Sequence, residues 1–284
     1  MDFGIAYLLT KITHAARMVV SIYSLRRYYS GEITIVTTTN EAAEIAGRCV
    51  NDPALRVSHR RLDLRYDLTT RNGSYLTKVA LISQPVYPAT VFLDADTLVV
   101  GSIEPLVSAS ISNQIVVTSY CDWMTTDKPV KKNLATWRQI EQKKNDIDLK
   151  HLIELTTTVS LPAINLGVIG IQKNATIIDE WRSLAELGQD MFLPDEASFQ
   201  FLLPRHQHFL LGSEFNCSPS YCTTNEARIY HFIAGTHLHK QADQDAWLPM
   251  YRECRSRGIA GIQDWSRLRK MDQPINCSSR NTGD

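Results

Sequence analysis

No stretch of this 284-residue sequence approaches the ~18 uninterrupted apolar positions of a membrane-spanning helix. The N-terminal segment MDFGIAYLLTKITHAARMVV has no basic start, and Thr10 and Lys11 break its apolar run, so it makes a poor signal peptide and a poor anchor. The expectation is a soluble, cytoplasmic protein. Charge of one sign is also missing: Lys plus Arg is 30 and Asp plus Glu is 30. That balance removes any whole-chain electrostatic argument for binding a nucleic-acid backbone or an anionic membrane. The six cysteines (49, 121, 217, 222, 254 and 277) are scattered. The gap from Cys217 to Cys222 is wider than a zinc knuckle and no second close pair completes a site, so unpaired thiols are expected. Asn174-Ala175-Thr176 and Asn276-Cys277-Ser278 fit the glycosylation acceptor pattern, which carries little weight without a secretion signal. Internal repeats, low-complexity tracts and linkers are absent. With 44% hydrophobic and 21% charged residues the composition is globular, and the length is well above that at which a core needs covalent staples.

What is present in the first 120 residues alternates between strand and helix. Phe3 to Leu9 suits a buried strand. Residues 13 to 29 repeat apolar positions at helical spacing and stop at Ser30-Gly31. EITIVTT (32 to 38) is β-branched, Asn40 is placed to cap a helix through EAAEIAGRCV, and a weaker strand lies near 55 to 62. A helix from Ser74 to Ser83 then leads to the strand TVFLD. Strands and helices in this order predict a largely parallel sheet covered on both faces. Beyond it, Gln114 to Ser119 reads as a strand. The charged residues 130 to 155 read as a solvated helical insertion, and AINLGVIGIQ (163 to 172) as a buried strand. Helices are expected over 175 to 187, after Pro194 and from Ala246, with a short strand at 229 to 233.

The densest chemistry lies in Ala89 to Val100, where an apolar strand runs into Asp94 and Asp96 and a second apolar strand resumes at once. Burying two carboxylates at a strand end is costly unless a cation compensates. On extended chain, residues at i and i+2 face the same side. Hard oxygen ligands so placed suit Mg²⁺ or Mn²⁺ with positions left for substrate phosphates. Strand carboxyl ends are also where ligands gather in open α/β sheets. The competing reading is a surface turn whose Asp side chains cap backbone groups; the apolar runs on both sides count against it.

VFLDADTLVVGSIEPL resembles the metal-binding DxD segment of GT-A fold glycosyltransferases, especially family 8 (glycogenin-like and galactosyltransferase-like enzymes). Other segments agree in order: GIAYLLT and its following helix, Tyr75-Leu76-Thr77-Lys78, Ala163-Ile164-Asn165-Leu166-Gly167-Val168, Pro194-Asp195-Glu196-Ala197-Ser198 and Ile229-Tyr230-His231-Phe232. The likeness spans roughly residues 3 to 240. It implies a GT-A fold, Rossmann-like, with a mixed, mostly parallel sheet. The expected layout is one domain over 1–275, with a nucleotide-binding half at about 1–120 and a donor-sugar and acceptor half at about 121–275. Residues 276–284 would be a flexible tail.

The same resemblance implies transfer of a hexose from a nucleotide-diphosphate sugar, UDP-sugar favoured, to a saccharide, protein or small-molecule acceptor, with configuration retained. Asp94, Asp96 and His231 would hold Mn²⁺ or Mg²⁺. Asp195 and Asn165 would be catalytic. Leu9, Thr10, Lys78, Ala95, Gly167, Glu196 and Gly235 would line the donor with them. Two segments depart from the family pattern. Thr10 to His14 holds neither the Asp nor the Tyr that usually follow the first strand, and HFIAGTHLHK shifts the usual His-x-x-Gly-x-x-Lys-Pro spacing and lacks its Pro. Two rival readings remain at this point. One is a haloacid-dehalogenase-type phosphohydrolase with Asp94 as nucleophile and Asp96 as general acid. The other is a sugar- or nucleotide-binding protein on the same fold without catalysis.

Overall fold

A computed structural model of the chain describes residues 2–63, 66–68, 70–119, 127–144, 147–158, 164–191, 193–219, 226–232 and 241–262. The expected tail at 276–284, Gly235, Lys240, and Cys121, Cys222 and Cys277 lie outside these residues.

β1 (Phe3–Leu9) leads through a short 3-10 turn (Ile12–His14) into α1 (Ala15–Leu25). The helix is shorter than its apolar spacing predicts, because the amides of Tyr28 and Tyr29 both close on the Leu25 carbonyl. β2 (Ile33–Thr37) is followed by α2 (Asn40–Val50), capped by the Thr39 hydroxyl rather than by Asn40; Thr39 accepts from the Ala42 amide at 3.2 Å. β3 (Ser58–Arg61) precedes α3 (Arg71–Ile82). Thr70 caps α3 through the Gly73 amide at 2.9 Å and starts it ahead of the expected Ser74. β4 (Ala89–Leu93), β5 (Thr97–Val99), α4 (Glu104–Ser112) and β6 (Ile115–Ser119) complete the first half.

α5 (Asp127–Lys144), α6 (Ile147–Thr158), β7 (Ile164–Gln172), α7 (Ile177–Leu187) and α8 (Pro194–Leu202) come next. β8 (Phe209–Leu211), β9 (Ile229–His231) and α9 (Gln241–Ser256) follow. The charged segment is not a solvated insertion. Trp137, Leu149, Leu152 and Ile153 are buried, and the Trp137 ring lies 5.2 Å from that of Phe201 on α8. A count of its charges does not register this apolar face.

Seven strands form one sheet in the order β3-β2-β1-β4-β7-β6-β8. β1 to β4 are parallel, β7 runs antiparallel to both β4 and β6, and β8 lies parallel to β6. Sheet residues alternate between two cores. Ile5, Tyr7, Leu9, Val91 and Leu93 pack with α1, α2, α4 and α9, while Ala6, Phe92, Ile169 and Ile171 pack with α3 and α5 to α8. Because β7 is reversed, its first residues stand at the carboxyl ends of the parallel strands, where the Asp94 amide donates to the Gly167 carbonyl at 2.8 Å. None of the helices among the described residues is long and apolar enough to cross a membrane. Cys49, Cys217 and Cys254 are buried, and burial pushes the Cys254 thiol up to about 12.

Candidate metal and donor site

Asp94-Ala95-Asp96 is a turn rather than extended chain. The Asp94 carbonyl accepts from the Thr97 amide at 3.2 Å and from the Thr97 hydroxyl at 2.9 Å. The turn differs from a surface cap because the strands on both sides are buried. β5 leaves the turn and pairs antiparallel with β9, and the register sets Thr97 opposite His231. The Phe232 amide reaches the Asp96 carbonyl at 2.9 Å and holds the two segments together.

This register brings the imidazole to the carboxylates: His231 Nε2 lies 3.4 Å from Asp96 Oδ1 and 3.8 Å from Asp94 Oδ2. One ligand atom from each of the three residues fits within 4.8 Å of the others. Gly167 makes room for the ring, since a Cβ there would sit 2.1 Å from His231 Cε1. Gly167, expected to line the donor, has the His231 ring as its close neighbour. Burial alone would raise the Asp96 carboxyl, but the hydrogen bond and charge of His231, with charge from Arg17 and His14, hold it well below the usual carboxylate range.

Opposite stands a second group of acids. Lys78 Nζ donates to Asp94 Oδ2 at 2.7 Å. Burial works against its charge, yet Asp94 and Asp195 together raise its pKa. Asp195 is the second residue of α8 and does not cap it; the cap position is Leu193, in the left-handed region at φ 52° with no side-chain hydrogen bond. That backbone costs a non-glycine residue about 1 kcal/mol, and it delivers Asp195 into the interior, only 2% exposed. Among the described residues, Asp195 Oδ1 is buried with no hydrogen-bond partner. Burial pushes the Asp195 carboxyl up to about 6 against the pull of Lys78 and of backbone amides. Burial, then repulsion from Asp195, pushes Glu196 up to about 8.

Asn165 links the two groups. Its Oδ1 accepts from the Gly167 amide at 2.8 Å, so its amide nitrogen must face Glu196, donating to Oε1 at 2.6 Å. Of the other residues expected on the donor, Ala95 is buried in the turn and Leu9 is fully buried in the core, leaving only its backbone to a ligand. Thr10 sits half-buried at the end of β1.

Three residues of this region escaped sequence reading. His14 closes the strand-to-helix connection after β1, where ligands gather, and Arg17 stands in the first turn of α1; burial and the Arg17 charge lower the His14 pKa despite Asp96 and Asp94. That position was the available signal. Asn216, which hydrogen-bonds His231, stands in a segment that carries no motif. A cavity of about 490 Å³ lies between the start of α3 and the α7–α8 connection, lined by Tyr66, Asp67, Asn72, Leu76, Gln189 and Asp190 among others and by none of the candidate site residues.

No protein-family model matches the sequence, and no curated protein sequence does. Solved structures do resemble the fold. Mouse xyloside xylosyltransferase 1 superposes with a TM-score of 0.54 at 16% identity, over 83% of this chain and 99% of that one. The galactosyltransferase LgtC, in complex with donor and acceptor sugar analogs, gives 0.57 at 14% identity, over 95% and 99%. The glycosyltransferase GlyE of Streptococcus pneumoniae gives 0.52 at 12%, over 91% and 65%. The chain has the GT-A fold of these glycosyltransferases.

Proposed function

We propose that residues 1–275 form one domain, a metal-dependent glycosyltransferase moving a hexose from a nucleotide-diphosphate sugar, a UDP-sugar by preference, to an acceptor with retention. The carrying observation is the meeting of Asp94, Asp96 and His231 at the carboxyl ends of the parallel strands, facing Asn165, Asp195 and Glu196. The fold, shared with transferases of which one holds donor and acceptor sugar analogs, supports the same reading.

The donor set fits a divalent ion. Two carboxylate oxygens and a neutral imidazole nitrogen within 4.8 Å suit Mn²⁺ or Mg²⁺. Such an ion would supply Lewis acidity to the donor's diphosphate as charge accumulates there. In the reaction the bond from the anomeric carbon to the diphosphate oxygen breaks, a bond to the acceptor oxygen forms, and the acceptor's proton passes to the departing diphosphate. Lys78 sits beside Asp94, where its ammonium can meet the same phosphates. The unpartnered Asp195 Oδ1 is costly as it stands; a hydroxyl of the donor sugar or acceptor would satisfy it, which supports a ligand there. Asn165 holds Glu196 on the same side. Leu9 and Thr10 would meet the base through the end of β1, and Gly235 the diphosphate. The acceptor remains a saccharide, protein or small molecule.

The phosphohydrolase alternative is not favoured, since it assigns no part to His231 or Asn165 and the fold is that of transferases. Thermal-shift measurement with a panel of nucleotide diphosphates and their sugars, with Mn²⁺, tests the reading: at least one pair should stabilise the protein only when the ion is present. Stabilisation by none overturns it. Mn²⁺-dependent nucleotide binding without turnover, donor hydrolysis included, would leave a binding protein instead.

A further inference from the structure

Asn216 is completely buried, and its side-chain amide joins the two halves of the site. One end approaches the Asn165 backbone carbonyl at 3.0 Å and the Thr118 hydroxyl at 2.9 Å; the other approaches His231 Nδ1 at 2.9 Å. A carbonyl can only accept, and Thr118 already spends its proton on the Val168 carbonyl at 3.1 Å. The amide nitrogen must therefore face Asn165 and Thr118, which leaves Oδ1 facing the imidazole. An oxygen there accepts, so Nδ1 carries a proton, and Nε2 is the nitrogen left on the side of Asp94 and Asp96, where a cation would take the place of the proton it shares with Asp96. The backbone fixes the same geometry, with the Cys217 amide on the Ile229 carbonyl at 3.2 Å and the His231 amide on the Cys217 carbonyl at 2.8 Å.

We propose that Asn216 is a positioning residue that presets His231 in the Nδ1–H tautomer, presenting Nε2 to a divalent cation beside Asp94 and Asp96. The inference rests on the metal site proposed above. Outer partners of this kind orient ligand imidazoles, and their loss weakens metal binding by about 10- to 100-fold.

The test is Mn²⁺ affinity, measured by calorimetry or by the EPR signal of free Mn²⁺, on the whole protein without donor or acceptor. Wild type, Asn216→Ala, His231→Ala and the double variant form a cycle, with circular dichroism to establish that each folds. Asn216→Ala should weaken Mn²⁺ by about 10- to 100-fold, and the double variant should bind no more weakly than His231→Ala alone, because Asn216 acts through the ring. Unchanged affinity in Asn216→Ala, or additive losses in the double variant, overturns the inference while leaving the metal site standing. Asn216→Asp keeps an oxygen against Nδ1 in the same shape and serves if the alanine variant does not fold. It should bind Mn²⁺ within a few-fold of wild type, and a loss as large as that of His231→Ala overturns the proposal. Wild type that binds no Mn²⁺ overturns both the inference and the metal reading beneath it.

Discussion

At the residue scale the candidate ligand atoms of Asp94, Asp96 and His231 lie within 4.8 Å of one another. Gly167 allows the His231 ring to lie over β7, and a methyl there would meet Cε1 at 2.1 Å. Gly167→Ala should therefore displace the ring, weaken Mn²⁺ binding and cost about 1–3 kcal/mol of stability; calorimetry and urea unfolding measure the two effects. Asp96→Asn removes a ligand charge with little change of shape. It should abolish Mn²⁺-dependent donor hydrolysis with the circular dichroism spectrum unchanged, and full activity in that variant would contradict the metal assignment.

The acid pair gives a pH dependence whose sign is fixed. In the unfolded chain Asp195 and Glu196 release their protons near pH 4, whereas folded they hold them up to about 6 and about 8. Between these limits the folded state binds more protons, so this pair's contribution falls as pH rises from about 4 to about 8. Glu196→Gln removes one of the two titrations. Relative to wild type, the metal-free variant should gain stability between pH 5 and pH 8, read from urea midpoints; an equal offset at both pH values would contradict the burial argument.

At the element scale, the parallel strands and their covering helices were legible because period-2 and period-3.6 patterns report burial directly. The boundaries were less so. Asn40 is a good capping residue, yet Thr39 took the position, since either side chain can accept the amide hydrogen bond. The short β8 has three residues and gives no usable period. Residues 130–155 read as solvated because their charge density masks Trp137, which closes the core over Phe201. Trp137→Ala should cost about 3–5 kcal/mol, visible as a large drop in the thermal midpoint, whereas a truly solvated insertion would lose almost nothing.

The site was legible to a similar degree. Asp94, Asp96, Lys78, Asn165, Asp195 and His231 all converge, although they span more than 150 positions of the sequence. Motif order could suggest that meeting. It could not show that β5 pairs with β9, which is what places His231 opposite Thr97. Asn216 had no sequence signal because its role exists only through contacts with Thr118, Asn165 and His231 from three separate strands.

At the scale of the whole molecule, the even balance of 30 basic and 30 acidic residues is unevenly distributed. Four acids, Asp94, Asp96, Asp195 and Glu196, gather at one end of the sheet, with Lys78, Arg17 and His14 acting on them. A site so built has reason to take up a divalent cation together with a ligand that brings its own phosphates. The antiparallel β7 makes this possible, since it returns Asn165 and Gly167 to the end where β4 delivers Asp94. The most direct measurement is the thermal midpoint of the whole protein with Mn²⁺ and UDP, alone and together. A clear upward shift is expected with both present, little with UDP alone, and loss of the joint shift in Asp96→Asn. An equal UDP shift without Mn²⁺, or a joint shift that survives Asp96→Asn, would contradict that expectation.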